Sequence, residues 1–111
     1  MKTFVAFLFT AALALAADVT GKWSANVVLE AGAGTPTFEF KQEGEKLTGS
    51  YKGQLGEAQL TGTVKGDKIE FTFSGEAGTV KYSGTVESAK KMKGIVEYGE
   101  LGKGTFTAEK N

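Results

Sequence analysis

The 111-residue sequence contains no cysteine, no histidine and no arginine, and it has a single proline, Pro36. Without cysteine there is no disulfide staple, so stability must come from burial and a satisfied backbone. A lipidated N-terminal cysteine is excluded on the same ground. Without histidine no side chain has an ordinary pKa near neutrality, and Ser–His and Cys–His pairs and the usual transition-metal sites are unavailable. The 13 basic residues, all lysine, are balanced by 13 acidic ones. Nothing in that balance favours nucleic acid or an anionic membrane.

Long apolar runs are equally scarce. One stands at the start, from Phe4 to Ala16, preceded by Lys2. It is shorter than the roughly 20 apolar residues needed to cross a bilayer. Ala14, Ala16 and Ala17 place small residues of the A-x-A kind just before Asp18, as a leader peptidase requires. A buried N-terminal helix is the alternative, but an apolar surface on every side and the small residues at its end favour a leader. The expectation is therefore a secretory signal peptide over 1–17 and one domain over 18–111, secreted or periplasmic, with no membrane insertion of the mature chain.

What the sequence does have is glycine, 16 in all, and a pattern of period two. Apolar and polar residues alternate in short runs separated by glycine-rich turns, which predicts strands over 21–30, 35–41, 46–52, 57–65, 68–74, 79–87, 92–98 and 103–109. The connections are too short for parallel crossovers, so consecutive strands must be antiparallel hairpins. The fold expected is all-β: an up-and-down antiparallel barrel of about eight strands, with a two-sheet sandwich as the alternative. Closure is preferred because it pairs the two edges that a meander leaves open.

Alternation also selects the buried face. Trp23, Phe38, Phe40, Tyr51, Phe71, Phe73, Tyr82, Tyr98 and Phe106 share one face with Ala25, Val27, Leu47, Leu60, Val64, Ile69, Val80 and Val96. The other face is Ser, Thr, Lys, Glu, Gln and Asn, with Val28 and Ile95 as the large apolar exceptions. A slip of one residue would expose every aromatic, so the register is strongly specified. A polar outside and an apolar inside also exclude an outer-membrane barrel, which has the reverse polarity.

An apolar-x-Gly-x-apolar repeat recurs, as in Leu47-Thr-Gly49-Ser-Tyr51, Leu60-Thr-Gly62-Thr-Val64, Tyr82-Ser-Gly84-Thr-Val86 and Met92-Lys-Gly94-Ile-Val96. Each central glycine faces inward. Two reasons compete: glycine lets a small barrel coil while an aromatic covers the gap, or it clears space for a ligand. The first is preferred.

In a meander, alternate turns lie at opposite ends. One end carries the charged turns 43–45, 65–68 and 87–91. The other carries the glycine-rich connections 31–36, 53–56, 75–78 and 99–102, with Leu55 and Leu101 at loop tips. Glycine-rich, partly apolar loops suit a mouth over a pocket.

At the charged end, Gly21-Lys22-Trp23 opens the first strand. With the eight-strand meander, this motif resembles the lipocalin and avidin group of small barrels. The resemblance implies that Trp23 plugs the closed end and that ligands enter opposite. It also implies a late cation near the Trp. The group's arginine is absent here, and Lys110 is the candidate in its place. The several tryptophans of avidin-like pockets are missing as well, so biotin is not expected.

No catalytic constellation emerges. The strand carboxylates Glu39, Glu70, Glu97 and Glu109 alternate outward, so no acid–base pair converges in a cleft. The turn at Asp67 lacks the ligands of a calcium loop. The reading is a non-enzymatic binding module without cofactor or metal. Its interior holds a small apolar or aromatic ligand lined by Phe38, Phe40, Tyr51, Phe71, Phe73, Tyr82, Tyr98 and Phe106. A filled barrel acting as a structural or interaction domain is the alternative, since an eight-stranded barrel is wide enough for either. A periplasmic protease inhibitor of similar fold ranks lower, because the disulfide of that family is absent.

Overall fold

Residues that alternate in polarity and are joined by turns of only a few residues can pair only with their chain neighbours, and the computed structural model shows that they do. It describes residues 17–54, 56–75, 78–99 and 102–111. Residues 1–16 of the expected leader and the loop-tip Leu55 and Leu101 lie outside the described residues. The strands are β1 (Gly21–Leu29), β2 (Gly32–Gly34), β3 (Thr37–Glu43), β4 (Lys46–Gly53), β5 (Gly56–Lys65), β6 (Lys68–Gly75), β7 (Gly78–Ser88), β8 (Lys91–Tyr98) and β9 (Lys103–Lys110). All pairings are antiparallel, and β3 to β9 follow one another in chain order. The sheet closes through β1 and β9, in register from Trp23↔Lys110 to Leu29↔Gly104. The molecule is a closed up-and-down barrel of eight staves, not a sandwich.

The ninth strand is the upper half of a stave. β2 pairs with β1 as Val27↔Gly34 to Leu29↔Gly32, and β3 continues the same register as Ser24↔Thr37 and Trp23↔Phe38. Between them the ladder is interrupted at Thr35 and Pro36. The Ala25 N–H donates to the Pro36 carbonyl at 2.9 Å. The reciprocal bond is the one that proline, lacking an N–H, cannot make. The expected loop over 31–36 is therefore a correction: only Glu30 and Ala31 form the turn, and Gly32–Gly34 is strand.

The core sits inside the barrel and, among the described residues, contains no buried polar or charged residue. Every inward aromatic read from the alternation is buried, and among the described residues Val28 (58 % exposed) and Ile95 (54 %) are the large apolar residues outside. Closing so small a barrel brings strand backbones very near one another, and the inward glycines sit at those approaches. A methyl group built on Gly62 would run into the carbonyl oxygen of Glu70 and stand 2.6 Å from the Cα of Phe71. Gly84 and Gly94 face each other across β7 and β8. A Cβ on Gly84 would lie 2.9 Å from the Phe106 ring. Glycine there admits neighbouring backbone and a covering aromatic.

Candidate binding site

The charged end is shut by a segment ahead of β1. Residues 19, 21 and 23 keep one parity, so Val19 turns inward like Trp23, and both are completely buried. The Trp23 indole N–H donates to the Val19 carbonyl at 2.9 Å. Gln42, inward by the parity of Phe38 and Phe40, holds the segment from the other side. Its Oε1 accepts from the Val19 N–H at 2.9 Å, and its Nε2 donates to the carbonyls of Ala17 (2.9 Å) and Gly44 (3.0 Å). The Ala17 N–H donates to the Gly66 carbonyl at 3.2 Å. Trp23 therefore closes this end together with a polar clasp. Lys110 lies opposite Trp23 on the same face, and its side chain crosses Gly21, with Cε 2.7 Å from where a Cβ would stand. Beside it, Asp18 accepts from the Thr20 N–H at 3.0 Å. That bond, the Thr20 hydroxyl and the nearby Lys110 together hold the carboxyl below its ordinary pKa.

Above Trp23 the interior is occupied by rings. The Trp23 ring centre lies 6.4 Å from that of Phe40, and Phe38 stacks on Phe40 at 5.5 Å. Phe71 and Tyr82 are parallel within 8° at 4.8 Å, and Phe38 meets both edge-on. Phe106 packs edge-on against Tyr82 at 4.9 Å, and Tyr51 stacks on Phe73 at 4.2 Å. Offset and edge-to-face contacts of this kind stabilise by about 0.5–1.5 kcal/mol each beyond the area they bury.

At the glycine-rich end the filling stops. A cleft of about 180 Å³ opens there, walled by Val27, Leu29 and the run from Ala31 to Pro36, with Gln54 to one side and Tyr51 and Tyr98 as its floor. Of the eight aromatics that the sequence nominates as ligand contacts, these two tyrosines reach the cleft. Phe38, Phe40, Phe71, Phe73, Tyr82 and Phe106 lie below it, packed on one another. The floor is polar only at its hydroxyls. Tyr98 and Tyr82 share a 2.8 Å hydrogen bond, and Tyr51 lies nearby on the same floor. Burial pushes the Tyr98 phenol up to about 12 and raises that of Tyr82 further. Both keep their protons at any physiological pH.

Sequence reasoning missed the hairpin walls and the Gln42 clasp. The signal for Gln42 was its parity, overlooked because the residue is polar. The walls were hidden by glycines that read as turn chemistry. No protein-family model matches the chain, and no curated protein does either. Among solved structures, a redesigned β-barrel superimposes with a TM-score of 0.69 at 18 % identity, covering 90 % of this chain and 95 % of that one. A de novo designed fluorescence-activating β-barrel gives 0.63 at 14 % identity, covering 83 % and 93 %. A barrel of the mFAP2b type, solved bound to DFHBI, gives 0.63 at 15 % identity, covering 84 % and 94 %. At such identities the likeness is one of fold.

Proposed function

We propose that this chain is an exported, non-catalytic barrel that takes one small apolar or aromatic ligand into the cleft at its glycine-rich end. The observation that carries this reading is the change along the barrel axis, from an interior filled with rings to an open cleft of about 180 Å³ over Tyr51 and Tyr98. A barrel that used its interior for stability alone would have no reason to stop filling there. The Gly21-Lys22-Trp23 motif, at the closed end opposite the cleft, agrees with the lipocalin-like arrangement. Barrels of similar fold solved with DFHBI lend support to a ligand held within such walls. Phe71, Phe73, Tyr82 and their neighbours then serve from beneath, keeping the two floor tyrosines in place.

The reading is checked by an amide NMR titration with toluene. Shifts confined to Val27, Gly32, Gly34, Gln54, Tyr51 and Tyr98 are expected. They should vanish in Gly34→Leu, whose Cβ has ordinary room, 3.7 Å from Gln54 Oε1, and whose side chain fills the cleft. Absence of shifts in the wild-type chain would instead favour the second reading, a filled structural or interaction module, for which the packed rings already speak.

A further inference from the structure

The charged end of the barrel bears on which peptide bond frees the exported chain from its leader. The A-x-A pattern occurs twice ahead of the domain, as Ala12-Leu13-Ala14 and Ala14-Leu15-Ala16. A leader peptidase cuts after the second alanine of such a pair, which makes the bonds after Ala14 and after Ala16 the candidates. A cut after Ala17 would put Leu15 where the pattern needs a small residue.

Ala17 is tied into the fold by both of its backbone groups. Its N–H donates to the Gly66 carbonyl at 3.2 Å, and its carbonyl accepts from Gln42 Nε2 at 2.9 Å. Ala17 also lines a recess of about 380 Å³ together with Asp18, Asp67 and Glu87, three carboxylates from three separate stretches of chain. No described lining residue of this recess is a lysine. Outside it, Lys93 pairs with Glu87 at 3.2 Å and Lys110 acts on Asp18. A peptide nitrogen at Ala17 brings one proton and no charge to this place. A free amine brings three protons and the positive charge that the carboxylates favour.

Resting on the reading that the chain is exported, we infer that the leader is cut at the Ala16–Ala17 bond and that the released amine becomes part of the closed end. The step is a hydrolysis. The water oxygen joins the Ala16 carbonyl carbon, which leaves as a carboxylate, and both water protons pass to the Ala17 nitrogen, which becomes an ammonium. One N–H keeps the Gly66 carbonyl, and the other two are left for the recess with Asp67 and Glu87. The mature domain then begins at Ala17, one residue ahead of the boundary expected from the small residues alone. A cut after Ala14 would leave the uncharged peptide nitrogen at the carboxylates, and a cut after Ala17 would discard the bonds to Gly66 and Gln42.

The full chain, residues 1–111, is produced in a bacterium that exports proteins by leader peptide, and the exported protein is sequenced from its N-terminus. A start of Ala17-Asp18-Val19 is expected. Any other first residue, Leu15 or Asp18 included, would overturn the scission point while leaving export intact. An uncut chain held in the cytoplasm would overturn the export reading, and the inference with it. The place of the amine is read separately, on a chain beginning at Ala17, by following the Ala17 Cβ resonance through a pH titration. With no histidine and no cysteine in the sequence, no side chain of ordinary pKa between about 5 and 8 obscures that signal. Asp67→Asn combined with Glu87→Gln should lower the pKa of the amine by about half a unit or more. Both positions are exposed, so the variant keeps the fold. An amine that titrates at the same pH in parent and variant would overturn its docking at the recess.

Discussion

Gly62 shows how a single hydrogen atom can govern the curvature of this barrel. It lies between Leu47 on β4 and Phe71 on β6, and the space a methyl group would need is held by the backbone of Glu70 and Phe71. Backbone paired on both sides cannot move aside as a side-chain tip can, so Gly62→Ala must either clash or pry the two strands apart. Overpacking of this sort costs about 1–3 kcal/mol, and urea unfolding should place the variant in that range. Gly34→Ala is the contrast, since its nearest neighbour is the movable Gln54 amide at 3.7 Å. Its stability should stay within about 0.5 kcal/mol of the parent. Equal losses at the two positions would refute the assignment of Gly62 to close strand approach. That inward glycines recur was plain from the sequence. Which of them meet backbone depends on barrel coiling, and no local pattern encodes it.

At the scale of elements, the segment ahead of β1 has a definite task. Residues 17–20 carry no strand pairing, yet they satisfy the Trp23 indole and fill the bottom of the barrel with Val19. A chain starting at Gly21 should therefore lose the buried valine and leave the indole N–H without its acceptor. Together these amount to about 2–5 kcal/mol. A chain starting at Asp18 keeps both and lacks only the Ala17 bonds to Gly66 and Gln42, so it should melt between the two others. Thermal unfolding of chains starting at Ala17, Asp18 and Gly21 checks the order, and identical midpoints would contradict the clasp. The staves themselves were legible in advance because alternation and turns of only a few residues leave one way to pair. The clasp was not, because a short polar stretch such as Asp18-Val19-Thr20 shows its single apolar residue only when the parity of β1 is carried backwards. Pro36 misled in the opposite direction: it marks a gap in one stave, and the glycines before it are strand.

For the whole molecule, an interior closed to water makes the barrel sensitive to alkali. Tyr98 titrates at about 12 in the folded chain, against about 10 for an ordinary phenol, and Tyr82 is displaced the same way. Between those values the folded state holds protons that the unfolded chain has released. The slope of stability with pH is then negative. The contribution is complete below about pH 10 and is lost as pH rises through about 12. Lysines titrate in the same window, so the informative quantity is the difference between the parent and Tyr82→Phe, which keeps every lysine. Urea midpoints measured from about pH 8 to about pH 12 should fall less steeply in the variant. Parallel curves would mean that Tyr82 meets solvent and that the rings do not fill the barrel. This is the point on which the sequence was silent. Period two tells which side chains face inward but not how their volumes sum, and an eight-stranded barrel sits at the size where rings can either line a hollow or close it. Here they close it from Trp23 up to the two tyrosines, and the cleft above them lies where the glycines of β2 carry no side chains to fill it.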